Sequence, residues 1–385
     1  MIKQEINELK RLYTPSNCSI TRICGCYVDG EKNKKTEFEE AFLSLPEEEI
    51  FKYFELLRKT LSGSLGKNLL NLDFPLASEQ EGGTQAALLA LRDSKLKDDA
   101  LIEEFYDRVI NTYEYVGNYL ILLIHDAYDV PGKTTDGLTM DDASDTVFEY
   151  IMCCICPVNL SKPGLSYDNI NNEFHNRIRD WVVEMPETGF LFPSFNDRAT
   201  DIHSTLFYSK NPEEAHSEFV ENILGCTMPL SAGTQKEAFQ ALIEETLGDE
   251  VEYEVVKNIH ENLTEMIEEH KEIPEPLTID KHQVKSLFEK SGVKEEKLTD
   301  FDKLYDAAAG EDTSLFVNNV ANVRTFEVKT PDVVVKVNPE RADLVNTLQI
   351  DGKRCLVIEI NDHVEVNGIT IHQGVSLEDV ADEEE

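Results

Sequence analysis

The sequence predicts an α/β or α+β fold, a mixed sheet with covering helices, then a helical segment and a small antiparallel β unit. Three observations predict it. Apolar residues recur at helical spacing within residues 47–61 and 101–110, whereas residues 119–208 break into short runs rich in β-branched and aromatic side chains. Near the C-terminus, two turn dipeptides of the preferred hairpin type separate short apolar runs. A chain of 385 residues, 41% hydrophobic and with 13 Tyr and 18 Phe, has the material for a sizeable core.

In chain order, residues 2–13 read as a short helix ended by Thr14-Pro15, because the residue before proline is pushed out of the α region. Residues 19–28 read as a strand. It runs into Asp29-Gly30, which predicts a type I′ turn and a hairpin with residues 31–38. Ile50, Phe54, Leu57 and Leu61 share a helix face behind Pro46-Glu-Glu-Glu49, where proline and acidic residues suit a first turn. Leu101, Ile102, Phe105, Val109 and Ile110 form a second apolar stripe. Strands are expected at 119–124, 148–156, 181–185, 189–195 and 203–208, with Pro186-Glu-Thr-Gly189 as a turn.

From about Ser231 the pattern is helical again. Val255, Val256, Ile259, Leu263, Met266 and Ile267 fit one face, and residues 244–272 carry 11 acidic side chains against Lys257 and Lys271. A solvated face is the simple reading of that excess, and a docking surface for a cationic partner the sharper one. A hinge is expected at Ile273-Pro-Glu-Pro276, followed by two short helices closed by Gly292 and Gly310. Asp351-Gly352 and Asn367-Gly368 then punctuate the β unit. The expected domains are 1–228 (α/β or α+β), 229–312 (acidic, helical) and 313–375 (antiparallel β), with an acidic tail at 376–385.

Lys and Arg number 36 against 75 Asp and Glu, a formal charge of −39. So acidic a surface opposes direct contact with a nucleic-acid backbone. No apolar run reaches the roughly 18 to 20 residues of a membrane span, and the N-terminal residues do not read as a signal peptide. With eight sparse Cys, the expectation is a cytoplasmic protein with reduced thiols and no membrane partner.

Residues 127–134, Ala-Tyr-Asp-Val-Pro-Gly-Lys-Thr, fit a permissive phosphate-loop pattern, but the stretch that follows is turn-forming and acidic where phosphate needs a helix N-terminus. No nucleotide or other cofactor is expected. Cys24-Gly-Cys26 and Cys153-Cys-Ile-Cys156 suggest a thiolate metal site, with Cys24, Cys26, Cys154 and Cys156 as ligands. Strand residues two apart lie about 6.6 to 6.8 Å from each other. Sulfurs around zinc must approach to about 3.8 Å. The geometry therefore favours buried core thiols over a metal site.

The strongest chemical constellation is His125, Asp126 and Asp129 at one strand end, with Asp197, Arg198, Asp201 and His203 leading into another. Two histidines and four carboxylates suit a divalent metal or acid–base work. The bland alternative is turn chemistry with local pairing to Arg198. No nucleophile elbow is present, and Arg177 and Arg179 near Trp181 are too isolated for a nucleic-acid footprint.

Five strings matter together: residues 21–31 (TRICGCYVDGE), 122–132 (LLIHDAYDVPG), 177–181 (RIRDW), 189–193 (GFLFP) and 364–368 (VEVNG). Through them nearly the whole chain resembles the uncharacterised bacterial family called domain of unknown function 4317, found in Gram-positive anaerobes. The resemblance implies no activity, ligand or catalytic residue. The C-terminal part is also faintly similar to some nucleoid-associated proteins, a likeness that the −39 charge opposes.

The function expected from the residues is a non-enzymatic interaction protein presenting acidic surface to a basic protein or nucleoprotein. The alternative is a metal-dependent hydrolase-type enzyme using the His/Asp set, and the third reading a nucleoid-associated protein. The sequence fixes neither strand order nor oligomeric state.

Overall fold

The computed structural model describes residues 1–133, 139–248, 251–322, 325–360, 364–366 and 369–371. The fold is α+β. Two compact units divide the chain: Met1–Glu237 with Lys271–Thr278, and a second formed by Ala238–His270 with the residues from Ile279 onward. The second unit takes in both the helical stretch and the hairpins that the sequence separates, and the Ile273–Pro276 hinge belongs to the segment that returns to the first unit.

The first unit opens with helix α1 (Lys3–Lys10), strands β1 (Ile20–Val28) and β2 (Lys34–Glu40), helix α2 (Glu47–Thr60) and strand β3 (Leu69–Asp73). Helices α3 (Thr84–Asp93) and α4 (Asp99–Thr112) precede the long strands β4 (Asn118–Lys133) and β5 (Thr139–Leu160). Seven short strands follow: β6 (Leu165–Asp168), β7 (Glu173–Asn176), β8 (Trp181–Val183), β9 (Thr188–Phe192), β10 (Ser194–Asn196), β11 (Ala199–Asp201) and β12 (Ser204–Ser209). A single turn, α5 (Ser217–Phe219), completes the series, and helix α6 (Ala232–Leu247) begins in the first unit and continues from Ala238 in the second.

The central sheet runs β2-β1-β4-β5-β9-β12-β3, with β8 pairing β5 beyond the end of β9. Each of these pairings is antiparallel, so the sheet is not the mixed one the sequence suggests. The reason the strands look parallel-like is burial on both faces. Residues 119–124 form an unbroken apolar run because Tyr119, Ile121 and Leu123 pack on one side with α3 and α4, while Leu120, Leu122 and Ile124 pack on the other with α1 and α2. Antiparallel sheets with one wet face alternate apolar and polar; this one cannot. Burying each of these large side chains contributes about 1.5 to 3 kcal/mol.

Local signals explain several elements. Asp98 caps α4 by accepting from the N–H groups of Ala100 and Leu101. The hairpin of β1 and β2 forms, but its loop is longer than the two-residue turn expected at Asp29-Gly30: strand pairing closes at Val28 and Lys34. The Asp29 carboxylate accepts from the N–H groups of Glu31 and Asn33, and Lys32, at φ 63°, takes the left-handed position instead. Gly25 of β1 sits opposite Phe38, whose ring lies 2.2 Å from where a Cβ would stand.

The phosphate-loop-like residues up to Lys133 belong to β4, and the next described element is strand β5 where a nucleotide site would need a helix. Thr134 and residues 135–138 lie outside the described residues, as do Asn367-Gly368 and the tail at 376–385.

In the second unit, α7 (Tyr253–Glu269) buries Ile259 and Leu263 on the expected face. After the two-residue strand β13 (Thr278–Ile279), α8 (Lys281–Lys290) and α9 (Phe301–Ala309) end near Gly292 and Gly310, both at positive φ. The short β14 (Leu315–Phe316) and α10 (Val317–Val320) lead to three separate hairpins: β15 (Phe326–Lys329) with β16 (Val334–Val337), β17 (Val345–Ile350) with β18 (Lys353–Ile358), and β19 (Val364–Val366) with β20 (Ile369–Ile371). Ile350 pairs Lys353 around Asp351 and Gly352, both at positive φ, as a type I′ turn demands. No helix among the described residues is long and apolar enough to cross a membrane.

Candidate functional site

At the far end of β4 the strand leaves the cover of α2 and meets α1. A cleft of about 750 Å³ opens there, walled by Gln4, Asn7, Glu8 and Arg11 of α1 and its end, Asn17 and Ser19 of the following loop, Tyr128, Asp129 and Pro131 of β4, and Arg198. Arg198 is presented by the tight turn between β10 and β11, in which Asp197 and Arg198 both take positive φ (51° and 57°). Its guanidinium grips Glu8 in a forked pair, Nη2 to Oε1 at 2.9 Å and Nε to Oε2 at 3.1 Å, and reaches the Pro131 carbonyl at 3.0 Å. The Tyr128 hydroxyl donates to the same Glu8 Oε1 at 2.9 Å. That hydrogen bond and burial together raise the Tyr128 phenol above its ordinary value, burial being the larger cause. The Glu8 bond raises the Arg198 guanidinium further, so it stays charged.

Beneath the cleft runs a buried polar chain. Tyr13 and Tyr150 stand hydroxyl to hydroxyl at 3.0 Å, and Tyr150 donates to Asp126 Oδ2 at 2.7 Å. Asp126 Oδ1 accepts from the Ala127 N–H at 2.8 Å. Burial raises the Asp126 carboxyl, against the opposing effect of its hydrogen bonds.

The seven site candidates are therefore placed apart. Asp129 and Arg198 share the cleft, and Asp126 lies below it, on the α1 and α2 side of the sheet. His125, its neighbour in the strand, points to the other side. It is fully buried, with Nδ1 2.8 Å from Thr21 Oγ1, and burial lowers its imidazole to about 4. Asp201 is occupied by Asn196 and Ser204, at 2.6 and 2.7 Å from Oδ2. Burial would lift its carboxyl, but these bonds and that from the His203 N–H hold it below the ordinary value. His203 is exposed and bonds Glu79 at 2.6 Å, which raises its imidazole.

His125 and His203 do not meet. His125 pairs Ile151, Ile151 pairs Phe192, and β12 lies beyond β9. Three strand spacings of about 4.8 Å separate them by about 14 Å. Among the described residues, no group of three or more His, Cys, Asp or Glu converges as a metal site requires.

The thiols are divided too: Cys24, Cys26 and Cys153 face the α3 and α4 side, and Cys154 and Cys156 the α1 and α2 side. Burial pushes Cys24 up to about 11 and Cys26 and Cys154 up to about 12, and raises Cys153 and Cys156 well above the ordinary value. These are inert core thiols.

A family model described as a domain of unknown function, DUF4317, matches residues 1–369. The chain belongs to the DUF4317 family. No curated protein matches it. Family membership spans both units and the whole of the cleft, so the Glu8–Arg198–Tyr128 wall is part of the DUF4317 domain itself. Sequence reasoning missed Glu8, Tyr13, Tyr128 and Tyr150. Tyr13 and Tyr150 stand 137 positions apart in the chain, and Glu8 and Arg198 190 apart, so no local spacing marks them. Chemically, the cleft balances two acids against two arginines and adds side-chain amides, a surface suited to hydrogen bonding. Among the described residues, it brings no histidine or cysteine to its walls.

Proposed function

We propose that the protein is a cytoplasmic, non-enzymatic interaction protein that offers an acidic surface to a basic protein or nucleoprotein. One observation carries the reading: of the acidic residues described, only Glu5 and Asp126 are buried, so the surplus behind the −39 charge lies toward solvent. Glu47, Glu48 and Glu49 in the first turn of α2 and Glu265, Glu268 and Glu269 near the end of α7 are all exposed. The residues that looked catalytic are occupied locally, Arg198 by Glu8, His203 by Glu79 and Asp201 by Ser204, which supports binding over chemistry.

The test is affinity capture at about 0.15 M salt repeated at about 0.5 M, where screening weakens contacts between exposed charges. Basic partners that are retained at the lower salt and lost at the higher are expected. Partners indifferent to salt, or none at all, count against the reading. The enzyme alternative predicts stoichiometric metal in protein purified without a polyhistidine tag, and its loss in His125→Ala and Asp201→Ala. Nucleoid association predicts salt-sensitive retention of DNA in a shift assay.

A further inference from the structure

In so acidic a chain, a cation without a carboxylate stands out. Arg22, Lys34, Arg92, Arg108, Arg198 and Lys210 are each paired with one. Where α1 and α2 end, four cations are not: among the described residues, Lys10, Arg11, Arg58 and Lys59 make no ion pair, although Asp and Glu number 75. Lys10 Nζ donates to Ser62 Oγ at 2.9 Å and the Arg58 guanidinium to the Tyr13 carbonyl, neutral acceptors that leave both charges unmatched. Burial, and then the repulsion of Arg58 and Lys59, lower the Lys10 ammonium, and no carboxylate opposes them. Helix C-termini favour cations, but that attraction does not call for cations that repel one another across two helices.

Arg11 brings this charge to the cleft. It shares with Gln4, Asn7 and Glu8 the face of α1 that walls the cavity. Of the cleft's other charges, Glu8 and Arg198 are engaged with each other. Asp129 lends the wall its backbone: Tyr128 turns toward α1 to bond Glu8, so strand alternation sends the Asp129 side chain to the other face of the sheet, alongside its exposed partner Val147. The unmatched charge at the cleft is therefore the Arg11 guanidinium, beside the exposed amides of Gln4 and Asn7.

Size and charge together select the ligand. A nucleic acid or an anionic membrane must approach the whole −39 body and is repelled. A small anion responds chiefly to charges within a Debye length, about 8 Å at physiological salt. A phosphate monoester brings nearly two negative charges and three acceptor oxygens, which match a guanidinium fork backed by further cations better than a lone carboxylate does. The cavity, about 750 Å³, has room for more than the phosphate. We propose that the cleft binds a phosphate monoester carried on a small polar molecule: Arg11 grips the phosphate, Lys10, Arg58 and Lys59 supply the field that holds it, and the amides of Gln4 and Asn7 take the polar remainder. This site is independent of the acidic surface proposed above.

The full-length chain, titrated calorimetrically with ribose 5-phosphate in about 0.15 M salt, should bind it saturably with a Kd below about 1 mM. Inorganic phosphate should bind at least about tenfold more weakly, and ribose not at all. Arg11→Gln should weaken ribose 5-phosphate at least about tenfold and Lys59→Gln about threefold, whereas Lys52→Gln, whose ammonium faces Glu55, should change nothing. Unchanged melting temperatures show that the variants fold. No saturable binding of either phosphate compound up to about 10 mM, or binding that both Arg11→Gln and Lys59→Gln leave intact, overturns the proposal. So does a DNA duplex held through the same residues more tightly than ribose 5-phosphate.

Discussion

Tyr150 donates a 2.7 Å hydrogen bond to Asp126, and both side chains are shut away from solvent. The bond satisfies a carboxyl that burial would rather keep protonated, so the proton on Asp126 is tied to the stability of the whole α1 and α2 side of the sheet.

The Asp126 carboxyl is raised, chiefly by burial. The folded chain therefore holds this proton at pH values where the unfolded chain has lost it. Stability from this group falls as pH rises from the ordinary carboxylate value through the raised one, and is level above. Asp126→Asn keeps an acceptor for the Ala127 N–H and removes the titration. In urea melts its stability relative to the wild type should improve as pH rises from about 4 to neutrality. A difference that stays constant with pH would show that Asp126 does not titrate in that window.

His125 works in the opposite sense. Burial lowers its imidazole to about 4, against an ordinary 6.5. The unfolded chain binds the extra proton between those values, so stability is lost as pH falls through that window. The full effect is at most about 3 kcal/mol. In His125→Leu the slope of stability against pH between 6.5 and 4 should flatten, and urea midpoints measured across that range read it directly.

Two glycines separate side-chain from backbone crowding. A Cβ at Gly25 would meet the Phe38 ring, which can swing outward at the exposed edge strand, whereas one at Gly189 would lie 2.3 Å from the Cys153 carbonyl oxygen in the middle of the sheet. Gly189→Ala should cost about 2 to 3 kcal/mol, toward the upper end for overpacking, and Gly25→Ala about 1 kcal/mol. Equal losses in chemical denaturation would mean that the β5–β9 contact yields as easily as the edge.

Six of the eight cysteines are buried, and only Cys18 and Cys355 are partly accessible. Burial pushes Cys18 up to about 11. Iodoacetamide applied to the folded protein near neutral pH should label Cys355 first, Cys18 far more slowly, and the rest only after unfolding. Peptide mass spectrometry over time gives the order, and early labelling of Cys24 or Cys153 would contradict the packing around them.

What could be read from the sequence was what neighbours in the chain decide. The α2 and α4 stripes, the strand at residues 119–124 and the Asp351-Gly352 turn depend on residues four or fewer apart, or on a single dipeptide. Direction was hidden because two-sided burial erased the alternation that betrays an antiparallel sheet. Strands β6 and β7 were missed because their apolar residues are spaced by polar ones and meet no core. The site suffered most. Asp129 does not stand at a strand end, since β4 runs on through it to Lys133, and Glu8, which holds Arg198, and Tyr128, which bonds Glu8, come from pairings that only the folded chain creates.

A sheet upholstered on both sides has no blank panel left for recognition. Whatever specificity this architecture acquires must be written on its rims, in the turns and overhangs where β4, β5 and the β10–β11 hairpin outrun their helices. Lineages carrying the same scaffold should accordingly differ in those margins first, while the twin-clad centre tolerates little rewriting.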